Sequence, residues 1–171
     1  GLGNKFLANI REVDAIVHVI RCFSDDDVIH VSGSVDPSRD IEIINLELAL
    51  SDLNQIEKRR TRLKKQIGTN KEAKLEDEVL VKLCEALENE DAVRSVSLTQ
   101  EEKKLIKPLG LLTEKPIIYA TNLGEDELAT GNPFSEEVNT LATKEGSECV
   151  KISAQVEAEL IELGEEERDD Y

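Results

Sequence analysis

The sequence predicts an α/β fold, part of a parallel sheet interrupted by an inserted antiparallel helical hairpin, and three observations predict it. Ile117-Ile118-Tyr119-Ala120-Thr121 is a β-branched, apolar run of strand length that delivers Asn122-Leu123-Gly124-Glu125 at its carboxyl end. Cys149-Val150-Lys151-Ile152 is a second such run and leads straight into Ser153-Ala154-Gln155, a small-residue turn that opens a helix. Between them and the amino terminus, apolar residues recur at spacings of three and four across residues 46–87, the period of a helical seam.

Taken in order, Val13 to Arg21 reads as a strand, apolar except at Asp14 and His18, suited to the interior of a parallel sheet. An irregular acidic loop follows from Cys22 to Val35, and Asp36-Pro37 then supplies an N-cap and a first-turn proline. The first hairpin helix is expected over Pro37–Ile67, with Leu46, Ala49, Leu53, Ile56, Leu63 and Ile67 on its seam and Arg60 interrupting it. At 1.5 Å per residue it would be on the order of 46 Å long and would project from a small α/β body. Gly68-Thr69-Asn70 punctuates it, and a second helix over Lys71–Asn89 continues the period with Ala73, Leu80, Leu83 and Leu87. Thr99-Gln100-Glu101-Glu102 is a capping box for a helix running to Leu112. Asn132-Pro133 caps another, near Pro133–Glu145, and a final acidic helix follows Ser153. Strands separated by helical crossovers imply a parallel sheet. Residues 1–45 and 108–171 are assigned to the α/β part and 46–107 to the inserted hairpin.

Composition bounds the function. At 171 residues the chain is long enough for one domain with a core, although 39% hydrophobic content with 3% aromatic leaves few large anchors. Cys22, Cys84 and Cys149 are widely spaced, with no C-x-x-C, which argues against a disulfide framework and a zinc site. No apolar run approaches membrane-spanning length. The expectation is a cytoplasmic protein, or one of an organelle such as a plastid, with no membrane partner. The chain contains no Met and opens in mid-pattern at Gly1-Leu2-Gly3, as expected of an internal piece.

The net charge of -16 is unevenly spread. Residues 55–74 hold Lys58, Arg59, Arg60, Arg62, Lys64, Lys65, Lys71 and Lys74 against Glu57 and Glu72, a window of +6 that leaves -22 for the remainder. Such an island suits a polyanion where the whole-chain charge would repel one. Lys58, Arg62 and Lys65 recur at four and three and line one helix face, with Arg59 beside them. Without interleaved aromatics, contacts would be to phosphates and shape rather than to bases. The same run also reads as an ordinary solvated face.

Other residues carry a chemical and a plain reading side by side. Asn122 and Glu125 stand where nucleotide-binding α/β folds read a base, or else end a strand and decorate a loop. Ser153 either caps a helix or buttresses a ligand, and both can hold at once. His30 is an imidazole able to position water near neutrality, or a surface residue paired to Asp25, Asp26 or Asp27. That acidic triplet lacks the glycine spacing of a calcium loop and reads as a solvated turn. His18, inside a strand, reads as a satisfied core residue.

Gly1-Leu2-Gly3-Asn4-Lys5-Phe6-Leu7, Arg21-Cys22-Phe23, Asp25 to Val31, Val35-Asp36-Pro37, Asp40 to Asn45, Asn122 to Glu125 and Ser153 to Glu159 occur in an order that, from the first residue to about the last, resembles the interior of the YchF or Obg-like ATPases. These form a branch of the P-loop GTPase superfamily. The phosphate-cradling Gly-x-x-x-x-Gly-Lys-Ser/Thr is not in the sequence, nor are the family's Asp-x-x-Gly motif and carboxyl-terminal domain.

The resemblance implies a partial P-loop NTPase G domain that binds and hydrolyses ATP, and GTP less well. It implies Mg2+ in the complete protein, held by residues outside this sequence, and association with ribosomes or RNA. The superfamily's Asn-Lys-x-Asp loop accepts protons from guanine with its Asp; here Leu123 replaces the Lys and Glu125 the Asp. Glu is one methylene longer and would not meet guanine in the same place, so adenine is read partly through the main chain at Leu123. Ser153, Ala154 and Gln155 would support the base from the other side. His30 matches a His proposed to replace the Gln that orients attacking water in related GTPases. The alternative is a non-enzymatic module whose hairpin binds RNA or protein on an α/β platform.

Overall fold

The structure, a computed structural model, describes residues 3–24 and 35–153. The expected final helix, the acidic triplet, His30, Ala154 and Gln155 therefore lie outside the described residues. By internal contacts the chain divides into two compact units, Gly1–Ile16 with Ile43–Pro116, and Val17–Glu42 with Ile117–Tyr171. One division falls within a helix, α2, Pro37–Leu63.

The first unit is helical. Besides α1, Asn4–Ile10, it contains most of α2, then α3, Lys71–Glu88, and α4, Gln100–Ile106. Ile56 and Leu63 from α2 join Ala73, Val79, Leu80, Leu83 and Leu87 from α3 in one buried cluster, with Val93, Ile106 and Leu111 closing it. Burying each large aliphatic side chain stabilises the unit by about 1.5–3 kcal/mol. The hairpin seam is thus as expected on α3 and differs on α2. Leu46 is 56% exposed, whereas Leu48 and Asp52 are buried. The buried positions Leu48, Asp52, Ile56 and Leu63 follow steps of four, four and seven, and Leu46 lies two residues, about 200°, from Leu48 around the helix.

Element ends are set by local chemistry. α2 stops at Leu63 rather than Ile67 because the chain must present Asn70 in extended geometry, where its Oδ1 accepts the N–H groups of Glu72 and Ala73 to cap α3. α3 ends in a Schellman motif: Asp91 N–H donates to Ala86 O and Glu90 takes φ of 65°. The capping box at Thr99 is present in both directions. The helix it opens ends at Ile106, six residues short of Leu112, because Pro108 lacks an N–H and turns the chain into a 3-10 segment, Lys107–Leu109. Gly110 then takes φ of 57°, where a Cβ would meet Arg11 O at 2.8 Å.

A buried carboxylate ties α2 to the connector. Asp52, fully buried, accepts Leu112 N–H and Thr113 N–H, each at 2.8 Å, and Thr113 Oγ1–H at 2.7 Å. Thr113 Oγ1 in turn accepts Val93 N–H at 3.1 Å.

The second unit holds the sheet, in order β1, Ile16–Arg21, β2, Ile117–Asn122, and β3, Glu148–Ile152. β2 and β3 are parallel, with Ile118 opposite Glu148 and Asn122 opposite Ile152. Ile16 N–H donates to Pro116 O and Cys22 N–H to Asn122 O, an advance in the same sense on both strands, so β1 is parallel too. β1 starts at Ile16, not Val13, because residues 11–14 form turns. Among the described strands it occupies an edge rather than the interior. α5, Pro133–Glu145, packs on β2 and β3, with Tyr119 Oη–H donating to Glu145 at 2.7 Å.

Replacing Asp52 by Asn turns one of its two accepting oxygens into an N–H2 that faces a donor from Leu112 or Thr113. The expected result is a loss of about 2 kcal/mol in unfolding free energy, read as a lowered urea midpoint at unchanged m-value.

Candidate functional site

Parallel strands of matched register end together, and that brings the sequence-predicted residues to one edge. Asn122 and Ile152 are register partners, and Leu123 N–H donates to Ile152 O at 2.8 Å. Asn122-Leu123-Gly124-Glu125 and Ser153 therefore leave the sheet side by side. Leu123 is buried, Asn122 half-buried, and Glu125 exposed at the head of a 3-10 turn, Glu125–Glu127. Ser153 is buried, and its Oγ has no hydrogen-bond partner among the described residues.

Beyond the turn the loop is stapled. Gly131 N–H donates to Glu127 O at 2.7 Å, and Asn132 Nδ2 donates to Glu127 Oε2 at 2.7 Å and to Cys22 O at 2.6 Å. Asn132 Oδ1 accepts Ser135 N–H at 2.9 Å, while Asn132 N–H donates to Ser135 Oγ, a reciprocal cap of α5. Lys151 Nζ–H donates to Ala129 O at 2.9 Å. Gly131 has φ of 76°, and a Cβ there would meet Ser135 Oγ at 2.8 Å. Asn132-Pro133 is legible in sequence as a helix cap; nothing in the sequence signals that the same carboxamide also holds Cys22 and Glu127.

Burial shapes the titrating groups nearby. Cys22 is fully buried, and desolvation, with smaller contributions from Cys149, Glu137 and Asp40, pushes its thiol up to about 12. Burial also raises the Cys149 thiol, with Glu136 adding to it. All three cysteines are free. His18 stacks obliquely on Tyr119, with ring centroids 6.0 Å apart. Its pKa is lowered by burial, against the pull of Asp40. Its Nδ1 lacks a hydrogen-bond partner among the described residues. Among the described residues no three His, Cys, Asp or Glu side chains converge as metal ligands, and no helix is long and apolar enough to cross a membrane.

The basic residues lie in the helical unit. Lys58, Arg62 and Lys65 are exposed. Arg59 makes a two-point pair with Glu76, at 2.5 and 3.0 Å, and Arg60 donates to Asp77 at 2.8 Å.

Parallel strands in this order, joined by helical crossovers, place the chain in the P-loop NTPase class of α/β folds. No protein-family model matches it. The ribosome-binding ATPase YchF of Bacillus subtilis (strain 168) is 51% identical over 171 residues, 98% of this chain and 47% of that protein. The ribosome-binding ATPase YchF of Escherichia coli O157:H7 is 49% identical, over 100% of this chain and 47% of its own length. The solved structure of the Schizosaccharomyces pombe YchF GTPase superposes with a TM-score of 0.83 at 34% identity, covering 99% of this chain and 48% of that one. The chain belongs to the YchF/Obg-like family of P-loop GTPases. It spans about half the length of these relatives.

With its thiol pushed up to about 12 and no exposed surface, Cys22 should resist an aromatic disulfide reagent at pH 8 in the native protein and react once guanidinium is added. Mass mapping of modified peptides reads this directly, and native labelling of Cys22 as fast as in denaturant contradicts it.

Proposed function

We propose that this chain carries the base-reading edge of a nucleotide-binding domain, in a protein that binds and hydrolyses ATP and acts less well on GTP. The observation that carries the reading is the register of Asn122 with Ile152, which sets Asn122 and Leu123 beside the strand end at Ser153, with Glu125 two residues further on. Leu123 N–H is spent on Ile152 O, so main-chain reading at Leu123 falls to its carbonyl oxygen. A carbonyl accepts from the adenine amino group and meets only an acceptor at guanine O6. Ser153 Oγ, which has no partner among the described residues, supplies a polar contact, with Ala154 and Gln155 following it in sequence. His30 would orient the attacking water, an assignment that rests on the family resemblance. Magnesium, bound with the nucleotide phosphates, would neutralise charge there; the described residues gather no ligand set for it. Calorimetric titration of the full-length protein containing this chain should show ATP binding more tightly than GTP by about fivefold, the scale of one hydrogen bond. Tighter GTP binding rules the reading out.

A second reading concerns the hairpin, and its supporting observation is which cations remain unspent. Arg59 and Arg60 are neutralised by Glu76 and Asp77, whereas Lys58, Arg62, Lys64, Lys65, Lys71 and Lys74 are exposed around the turn between α2 and α3. We infer that this tip binds the phosphates of an RNA, ribosomal RNA in keeping with the ribosome-binding ATPases that the chain resembles. For three to five phosphates, affinity should fall with salt at a log–log slope of roughly -2 to -4. Changing Lys58, Arg62 and Lys65 together to Gln should flatten that slope at unchanged helical content. Filter binding at several salt concentrations decides it, and an unchanged slope means a solvated face.

A further inference from the structure

We propose that Asn132 is a positioning residue for base recognition, acting through Glu127 on the loop that carries Asn122 and Glu125; this rests on the base-reading role just proposed. Every hydrogen of the Asn132 carboxamide is committed. One reaches Cys22 O, where the chain leaves β1, and the other reaches Glu127 Oε2. Its oxygen accepts Ser135 N–H and so fixes the whole group to the first turn of α5.

Glu127 is thus held twice, through its carboxylate by Asn132 and through its carbonyl by Gly131 N–H. Its own N–H donates to Gly124 O at 3.0 Å, closing the 3-10 turn whose first residue is Glu125. The position of Glu125 is therefore set by bonds that begin at a helix cap, and Gly131 beside them, at φ of 76°, leaves no room for a Cβ. The bond to a carboxylate is of the stronger, charge-assisted kind, so losing it frees the loop more than losing a neutral contact would.

Asn132→Asp isolates this role. Asp caps a helix as well as Asn, yet its carboxylate faces Glu127 and the Cys22 carbonyl with no donor. In the full-length protein, ATP affinity should fall about tenfold, the scale of one charge-assisted bond. Affinity for inorganic triphosphate, which has no base, should stay the same. Glu127→Ala leaves the α5 cap intact and should reproduce the loss, so the test stands even where N132D folds poorly. If the unmodified protein binds triphosphate as tightly as ATP, there is no base reading to position and both ideas fall. If it prefers ATP but neither variant weakens ATP alone, the base-reading role survives and that of Asn132 is overturned. Equal loss for ATP and triphosphate marks general damage and overturns it as well.

Discussion

Parallel pairing at matched register is the constraint on which the candidate base-reading edge of this protein depends. A parallel strand cannot follow its neighbour through a short turn, so each strand must be preceded by a crossover, and all strands then end at the same edge. Cys22 N–H to Asn122 O and Leu123 N–H to Ile152 O are the last rungs of this ladder. They bring three segments that are more than 25 residues apart in sequence to one line of backbone. A slip of one residue would turn Asn122 to the opposite face of the sheet and bury a loop carboxylate or expose Leu123. The arrangement of candidate base-contacting groups is therefore a by-product of sheet geometry, and only its fine adjustment falls to side chains such as Asn132.

The helical unit solves a different problem. Its core is almost entirely aliphatic, and aliphatic packing specifies volume better than register. The buried polar chain from Asp52 through Thr113 to Val93 N–H supplies the register, because each acceptor has donors in one geometry only. Asp52 caps the 3-10 segment Leu112–Glu114 from a helix sixty residues earlier. That segment leads directly into β2 at Ile117.

Much of this was legible in the sequence where a single local rule decides the outcome. The capping box at Thr99, the helix cap at Asn132-Pro133, the apolar face of α3 and the two strands leading into the turns at Asn122 and Ser153 follow from spacing and side-chain type alone. Illegible features are those where two rules compete or a partner is remote. Leu46 fits the helical period yet is exposed, because the buried face of α2 is chosen by Leu48 and Asp52. Thr99's helix stops early at Pro108, although the apolar pattern continues. Asp52 in an otherwise amphipathic stretch looks like a surface acid until Leu112 and Thr113 are brought to it. Of the candidate site, Asn122 and Ser153 could be located from strand ends, but the bonds of Asn132 to Glu127 and Cys22 have no local sequence signature.

Charge behaves at the hairpin as it does in the loop: what matters is the part that structure leaves unspent. A carboxylate two-point bonded to Arg59 cancels that cation for any approaching anion, and Asp77 does the same for Arg60. What remains around the α2–α3 turn is six exposed cations with Glu57, Glu72 and Glu78 as their near acidic neighbours. Along α3, Glu78 follows Lys74 by about 6 Å at the helical rise, inside the Debye length of about 8 Å at physiological ionic strength, whereas Glu85, eleven residues beyond Lys74, is about 16 Å away and outside it. At that separation salt largely screens the distant acids from the tip. The whole-chain charge of -16 is thus a poor guide to what this surface attracts, and on the proposed phosphate contact raising salt would weaken binding rather than relieve a general repulsion.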